Sequence, residues 1–249
     1  MNTVLINAQN IGLQQHSPPD QATVDIVIHT SATLGFIGPD KILISSWLQT
    51  LAAITAPANG QVKFLGKDTH HLDRNNWQRL RTELAYLNHE STLLSVLSTQ
   101  ENILLPALYH QLDTREALQK HMYTLLDSIG FTDLDSLAKL PAYIDELAYA
   151  QAMFVRLALT KPRLVILDNN LRHFDERTSR KLLRFLQTTL SASQTSLILQ
   201  DDDLNFVLKQ ATRIIFVDRN CLLQFDTPDD FRASSNQNVL QYMNDLATS

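Results

Sequence analysis

Leu34-Gly35-Phe36-Ile37-Gly38-Pro39-Asp40-Lys41-Ile42-Leu43-Ile44-Ser45-Ser46-Trp47-Leu48-Gln49-Thr50-Leu51 is the stretch on which the rest of the chain turns. A phosphate-binding loop runs Gly-x4-Gly-Lys-Ser/Thr between a buried strand and a helix, so that backbone N–H groups cradle phosphates and the hydroxyl holds magnesium. Gly38 and Ser45 keep that spacing, with Pro39, Asp40 and Ser46 around them, but the second glycine is Leu43 and the lysine is Ile44. Leucine where the loop asks for glycine's positive φ predicts steric strain, and isoleucine has no charge with which to reach a phosphate. Lys41, earlier in the loop, is the candidate substitute for the missing cation. Strand, Gly-Pro turn and helix is also an ordinary surface bend, so the assignment needs pieces from elsewhere in the chain.

The 249 residues suffice for one large α/β domain or two small ones, and 44% hydrophobic content can supply a packed core. A net charge of −5, without a basic run, gives no electrostatic reason to expect nucleic acid or an anionic membrane surface. Cys221 is the single cysteine, which rules out an internal disulfide framework and fits a reducing compartment. Met1 to Asn7 lack the charged and apolar regions of a secretory signal, and no window reaches roughly 18 uncharged apolar residues. A cytoplasmic chain is expected. The glycine content is 6 residues, far below the average of about 7%, and none follows Gly130. A nucleotide contact in the second half that depends on glycine is thereby excluded.

Taken in order, Val4 to Asn10 and Thr23 to Thr30 read as antiparallel strands separated by a polar turn over Gln14 to Asp20. Leu34 to Ile37 is a short buried strand, and Ser45 to Ile54 the helix after the degenerate loop. Asn59-Gly60 is a turn signal before a strand from Val62 to Leu65 that ends at Gly66. A polar helix around Asn75 to Thr82 precedes a strand at Leu84 to Leu87. Asp113 and Glu116 have the spacing of a capping box for a helix that reaches Gly130, and a second helix runs from about Asp145 to Thr160. Arg163 to Asp168 is a continuous apolar run ending in an acid, as in a central parallel strand. Asp175 caps a helix to about Leu190, Ser196 to Leu199 is a buried strand, and Asp201 to Asp203 open a further helix. Arg213 to Asp218 and Cys221 to Phe225 form a hairpin. Alternating strands and helices argue a parallel sheet covered on both faces.

These pieces, in this order, resemble the nucleotide-binding subunits of ATP-binding-cassette transporters over roughly residues 3 to 230, and especially the subgroup for lipoprotein release, lipid trafficking and macrolide export. The resemblance rests on Gly38-Pro39-Asp40 with Ser45-Ser46, the hairpin from Asn59-Gly60 to Gly66, and Gln100 to Pro106 in place of Glu-Asn-Val-x-x-Pro. Its most specific part is Val155 to Asp168, which matches the family's Ala-Arg-Ala-Leu to Walker B run without a gap and continues to the D-loop Asp175. It implies an α/β, P-loop NTPase-like cassette with a mostly parallel central sheet, an antiparallel β subdomain and an inserted helical subdomain. The expected organisation is a single domain over 1–249, with core at about 1–99 and 161–228, the helical part at about 100–160, and a helical tail at 229–249.

Carried over position by position, the family's chemical groups are mostly replaced. The Walker A lysine falls on Ile44 and the Q-loop glutamine on His89. The Leu-Ser-Gly-Gly-Gln signature falls on Ile144, Asp145, Glu146, Leu147 and Ala148, where two acids would repel a triphosphate. Asp168 keeps the Walker B acid, but the catalytic glutamate beside it is Asn169, an amide that cannot accept a proton from water. The switch histidine falls on Asp201, and no aromatic lies near Gln14 or Gln15 to stack adenine. Ser45 and Asp168 could hold magnesium or could equally be a buried hydrogen bond. Asp201 to Asp203 read most simply as a solvated helix start.

Since phosphoryl transfer depends on positioning and positive charge, the resemblance with these departures implies an inactive cassette subunit. No catalytic residue and no cofactor is expected, though weak ATP and magnesium binding stays open. The expected partners are a membrane permease, received by residues 84 to 110, and a second cassette subunit in a homodimer or heterodimer. The expected location is the inner face of the cell membrane. Val96, Leu97, Ile103, Leu104, Leu105 and Tyr109 could line the docking groove or simply pack the helical subdomain. Two alternatives remain: a divergent ATPase that uses Lys41, and a soluble scaffold or regulator unrelated to transport.

Overall fold

The computed structural model describes residues 3–13, 24–88, 90–219 and 221–247. In chain order these form β1 (Val4–Gly12), β2 (Val24–His29), β3 (Thr33–Ile37), α1 (Lys41–Leu51), β4 (Asn59–Phe64), β5 (Lys67–Asp68), α2 (Arg74–Glu83) and β6 (Leu84–Asn88). Then come α3 (Thr99–Tyr109), α4 (Arg115–Ile129), α5 (Glu146–Leu159), β7 (Leu164–Asp168), α6 (Glu176–Thr189) and β8 (Ser196–Gln200). The last elements are α7 (Leu204–Gln210), β9 (Arg213–Asp218), β10 (Cys221–Phe225), α8 (Pro228–Arg232) and α9 (Gln237–Ala247).

Two compact units are present, the first comprising Met1–His89, Leu164–Arg172 and Ser196–Ser249, the second Glu90–Arg163 and His173–Thr195. Two sheets make up the first unit. One is antiparallel in the order β2-β1-β4-β5, and the other runs β10-β9-β3-β8-β7-β6. In the larger sheet β9, β3, β8, β7 and β6 are mutually parallel, and β10 returns antiparallel as a hairpin. Every residue of β7 and β8 is buried, as expected of strands covered on both faces and rich in Leu, Val and Ile. Leu43, Ile44, Trp47, Leu48 and Leu51 of α1 belong to one apolar cluster with residues of both sheets, among them Ile6, Ile28, Phe36, Ile166 and Ile215. Burying each such side chain is worth about 1.5–3 kcal/mol, so α1 is anchored by its core face. Its far end is tied down by Arg81, whose guanidinium donates to the carbonyls of Ala52 and Ala53 at 3.4 and 3.2 Å and lies 3.8 Å over the Trp77 ring.

The second unit is helical. Ile103, Leu104, Leu118, Met122, Leu125, Leu126 and Phe154, from α3, α4 and α5, are all buried. α6 groups with these helices rather than with the strands that flank it in sequence.

Several local expectations are corrected. Asn59-Gly60 is not a turn but the start of β4, opposite a register shift in β1, where a Cβ on Gly60 would sit 2.2 Å from the Gln9 carbonyl. The turn is Leu65-Gly66, both with positive φ (48° and 79°), which joins β4 to β5 in the manner of a two-residue hairpin. The helix after Gly38 starts at Lys41 instead of Ser45. Asp113 is not the cap of α4; Thr114 is, accepting from the Ala117 N–H, while the full capping box lies at Ser98 and Glu101 at the head of α3. α7 is capped by Asp203. The polar turn over Gln14 to Asp20, and Asn220 in the last hairpin, lie outside the described residues.

Candidate functional site

The Gly38-Pro39-Asp40 turn joins the end of β3 to α1. Gly38 is required because a Cβ there would stand 1.9 Å from the Val217 carbonyl of β9. The glycine therefore serves strand packing, with no phosphate needed to explain it. Asp40 caps α1, its carboxylate accepting from the Leu43 N–H at 3.1 Å and its carbonyl from the Ile44 N–H at 3.1 Å. The two amides at the second-glycine and lysine positions are thus spent inside the helix, where a cradle would leave them facing a ligand. The expected strain at Leu43 is absent, because Leu43 is helical and does not have positive φ. Its side chain and that of Ile44, 2% and 0% exposed, face the core. Ser46 turns its hydroxyl back onto the Ile42 carbonyl at 2.9 Å.

Asp168 ends β7 beside Ser45, as the resemblance implies. Its Oδ1 accepts the Ser45 hydroxyl at 2.9 Å and its Oδ2 accepts the Tyr86 hydroxyl at 2.5 Å. The carboxylate is 2% exposed and both oxygens are taken. As a magnesium site this donor set fits poorly, since magnesium demands octahedral oxygen coordination and keeps several waters. Seating it here requires breaking both hydroxyl contacts to a carboxylate with little access to solvent.

A second group of contacts crosses the ends of β7, β8 and the α1 turn. Asn169, at φ 52°, donates its backbone N–H to the Gln200 carbonyl and its Nδ2 to Asp202 Oδ2 at 3.2 Å. Its Oδ1 and the Nε2 of Gln200 are buried without a protein partner. Lys41 Nζ donates to the Asp201 carbonyl at 3.3 Å and stands 3.7 Å from Asp202 Oδ1. Burial holds the lysine below its ordinary pKa, against the pull of Asp202 and Asp201. Asp201 is buried and accepts from the Asp203 N–H at 3.0 Å. Desolvation pushes its carboxyl above the ordinary range, with Asp202 and Asp203 adding repulsion. The ammonium of Lys41 is thus engaged by Asp201 and Asp202. Asn170 donates to the Asn88 carbonyl at 3.0 Å and ties β7 to β6.

In the helical unit, Ile144 precedes α5 and Asp145 caps it, accepting from the Ala148 N–H at 2.7 Å. Glu146 sits in the first turn, where the helix dipole favours an acid. Leu147 is exposed and Ala148 buried. Asp175 caps α6 through the N–H and hydroxyl of Thr178, which hold its carboxyl below the usual range. Of the apolar residues named between 84 and 110, Ile103 and Leu104 are buried in the helical unit, Leu97 and Leu105 are half-buried, and Val96 and Tyr109 are exposed. His89, Gln14 and Gln15 lie outside the described residues.

Three participants escaped the sequence reading. Tyr86 stands three residues before His89, but nothing local in the sequence says that its hydroxyl reaches a residue on the neighbouring strand. Asp202 is hidden in a run of three acids. Tyr242 of α9 is buried against Phe216 of β9, with ring centroids 5.6 Å apart. A signal for Asp40 as the cap was present, an Asp before Lys-Ile-Leu-Ile, though the helix was expected only from Ser45.

The sequence model of the family described as ABC transporter matches residues 22–172. The lipoprotein-releasing system ATP-binding protein LolD of Neorickettsia sennetsu is 26% identical over 202 residues, 80% of this chain and 86% of that protein. The macrolide export ATP-binding/permease protein MacB of Marinobacter nauticus is 25% identical over 194 residues, 77% of this chain and 30% of that protein. The methionine import ATP-binding protein MetN 1 of Pseudomonas syringae pv. syringae is 19% identical over 197 residues, 79% of this chain and 58% of that one. Against these last two the chain therefore spans less than two thirds of the relative. The structure of cbiO1 from Clostridium perfringens, part of the ABC transporter complex cbiONQ, superposes with a TM-score of 0.78 at 14% identity, covering 97% of this chain and 95% of that one. The dimeric ATP-binding cassette MJ0796 bound to ADP and Pi gives 0.77 at 16% identity, covering 89% and 98%. At such identities the superpositions establish the fold. Among the described residues no helix is long and apolar enough to cross a membrane.

Proposed function

Because the chain belongs to the ABC transporter family and is an ATP-binding-subunit-like cassette, we propose that it is a non-hydrolysing cassette subunit, a scaffold that docks on a membrane permease. One observation carries the reading. The Leu43 and Ile44 amides that would cradle a phosphate are bonded to Asp40, and the charge that would reach it is replaced by a buried isoleucine. Phosphoryl transfer works through positioning and stabilisation of developing negative charge, and the loop supplies neither. Asn169 adds an amide where a proton acceptor is needed, and Asp201 adds an acid near the place a triphosphate would fill. Lys41 does not compensate, because its ammonium is engaged by Asp201 and Asp202.

A permease and a second cassette are the partners this reading assigns, at the cytoplasmic face of a membrane and with the whole chain acting as one cassette domain. The name of the LolD relative supports a lipoprotein or lipid system, and the exposed Leu94, Val96 and Tyr109 support a contact surface on the helical unit. The test is a calorimetric titration of the purified chain with millimolar Mg-ATP, a phosphate-release assay, and co-purification with permeases encoded beside it. Expected are no binding heat, no release above buffer, and a stable permease complex. Saturable Mg-ATP binding, or turnover abolished by Lys41→Ala or Asp168→Asn, overturns the reading.

A further inference from the structure

The C-terminal helix α9 lies against the turn that a nucleotide would otherwise order. Tyr242 is 8% exposed and packs on the ring of Phe216 with centroids 5.6 Å apart. Phe216 is the β9 residue paired in register with Ile37, immediately before Gly38, and the next β9 residue, Val217, is the one whose carbonyl crowds Gly38. Burial raises the Tyr242 hydroxyl's pKa, and the Gly38 backbone amide nearby works against that rise. Phe231 of α8, fully buried, stacks beside Phe216 at 6.2 Å and meets Phe225 of β10 edge-on at 5.5 Å. Val239 completes the buried face of α9. An aromatic row thus runs from the last hairpin through both C-terminal helices to the vestigial loop.

We infer that α9 is a built-in brace of this loop, with Tyr242 as a positioning residue that clamps the Gly38 turn in an ordered form without any nucleotide. A ligand that binds only the folded state stabilises it by mass action. Here a covalently attached side chain does the same at fixed effective concentration, so order at the turn is independent of nucleotide supply. The brace concerns the turn's stability and does not depend on whether nucleotide binds.

The test uses the full chain and its Tyr242→Phe and Tyr242→Ala variants, followed by hydrogen–deuterium exchange of peptides covering residues 34–43. Tyr242→Phe keeps the ring on Phe216 and deletes only the hydroxyl, and is expected to speed exchange of 34–43 less than Tyr242→Ala does. Tyr242→Ala is expected to speed exchange across the whole β3–α1 turn, with peptides from 146–159 of the helical unit unchanged. Unaltered protection of 34–43 in both folded variants overturns the brace. Millimolar Mg-ATP added to the variants separates the two readings. If the wild-type chain and its variants alike bind nucleotide, the non-hydrolysing, nucleotide-blind reading falls and the brace is judged on exchange alone; if exchange does not change, the brace falls and that reading is untouched.

Discussion

The Ser45 hydroxyl donates to Asp168 Oδ1 at 2.9 Å, and this bond joins the two positions at which a working cassette would hold its metal. Together with the Tyr86 hydroxyl on Oδ2, it satisfies a carboxylate buried to 2% exposure. Ser45→Ala and Tyr86→Phe should each destabilise the fold by about 1–3 kcal/mol, the cost of leaving a buried acceptor short of a donor. Denaturant unfolding measures it. Midpoints that stay at the wild-type value in both variants would show the pair to be structurally idle.

Restoring the missing lysine should fail. Ile44 is fully buried in the cluster that fixes α1, so Ile44→Lys places an ammonium in the core instead of beside a phosphate. The expected loss is roughly 3 kcal/mol or more, as for an uncompensated buried charge, with no gain of Mg-ATP binding. A folded Ile44→Lys chain that binds nucleotide contradicts the register of α1 described above.

The acid at the switch position works against the fold at neutral pH. Asp201 has its folded pKa raised above the ordinary 3.8, chiefly by burial, so the folded state holds its proton more tightly than the unfolded chain does. Its contribution is intact below the unfolded value and is lost as pH rises through the folded one. Asp201→Asn keeps an oxygen for the Asp203 N–H and should therefore raise the thermal midpoint at neutral pH, with little effect well below pH 3.8. A variant that is less stable at neutral pH would refute the assignment.

Alkaline sensitivity should trace to α9. Burial lifts the Tyr242 hydroxyl from 10.0 to about 12, so the folded state keeps a proton that the unfolded chain has released. Stability should fall across that interval, by up to about 3 kcal/mol for a shift of this size. The slope of unfolding free energy against pH should flatten in Tyr242→Phe. An identical slope in wild type and variant assigns the alkaline loss to other groups.

The strands were legible because their apolar runs are local: Leu164 to Asp168 and Ser196 to Gln200 announce buried parallel strands by composition alone. Turn chemistry was less so. Asn59-Gly60 has the residues of a tight turn, yet Gly60 answers to the close approach of β1, a contact that sequence spacing does not carry. α3 was obscured by Pro106, which sits inside the helix although proline is its usual breaker. At the site, the losses at Leu43, Ile44 and Asn169 were readable as substitutions. What filled the space was not, because Tyr86, Asp202 and Tyr242 arrive from distant segments.

The early start of α1 at Lys41, capped by Asp40, has one more consequence. A phosphate-binding loop keeps its backbone N–H groups free for an arriving triphosphate. Here the same segment is a capped helical turn already closed on itself. If the chain is the non-hydrolysing subunit proposed above, the rhythm of any assembly it joins is set by another member.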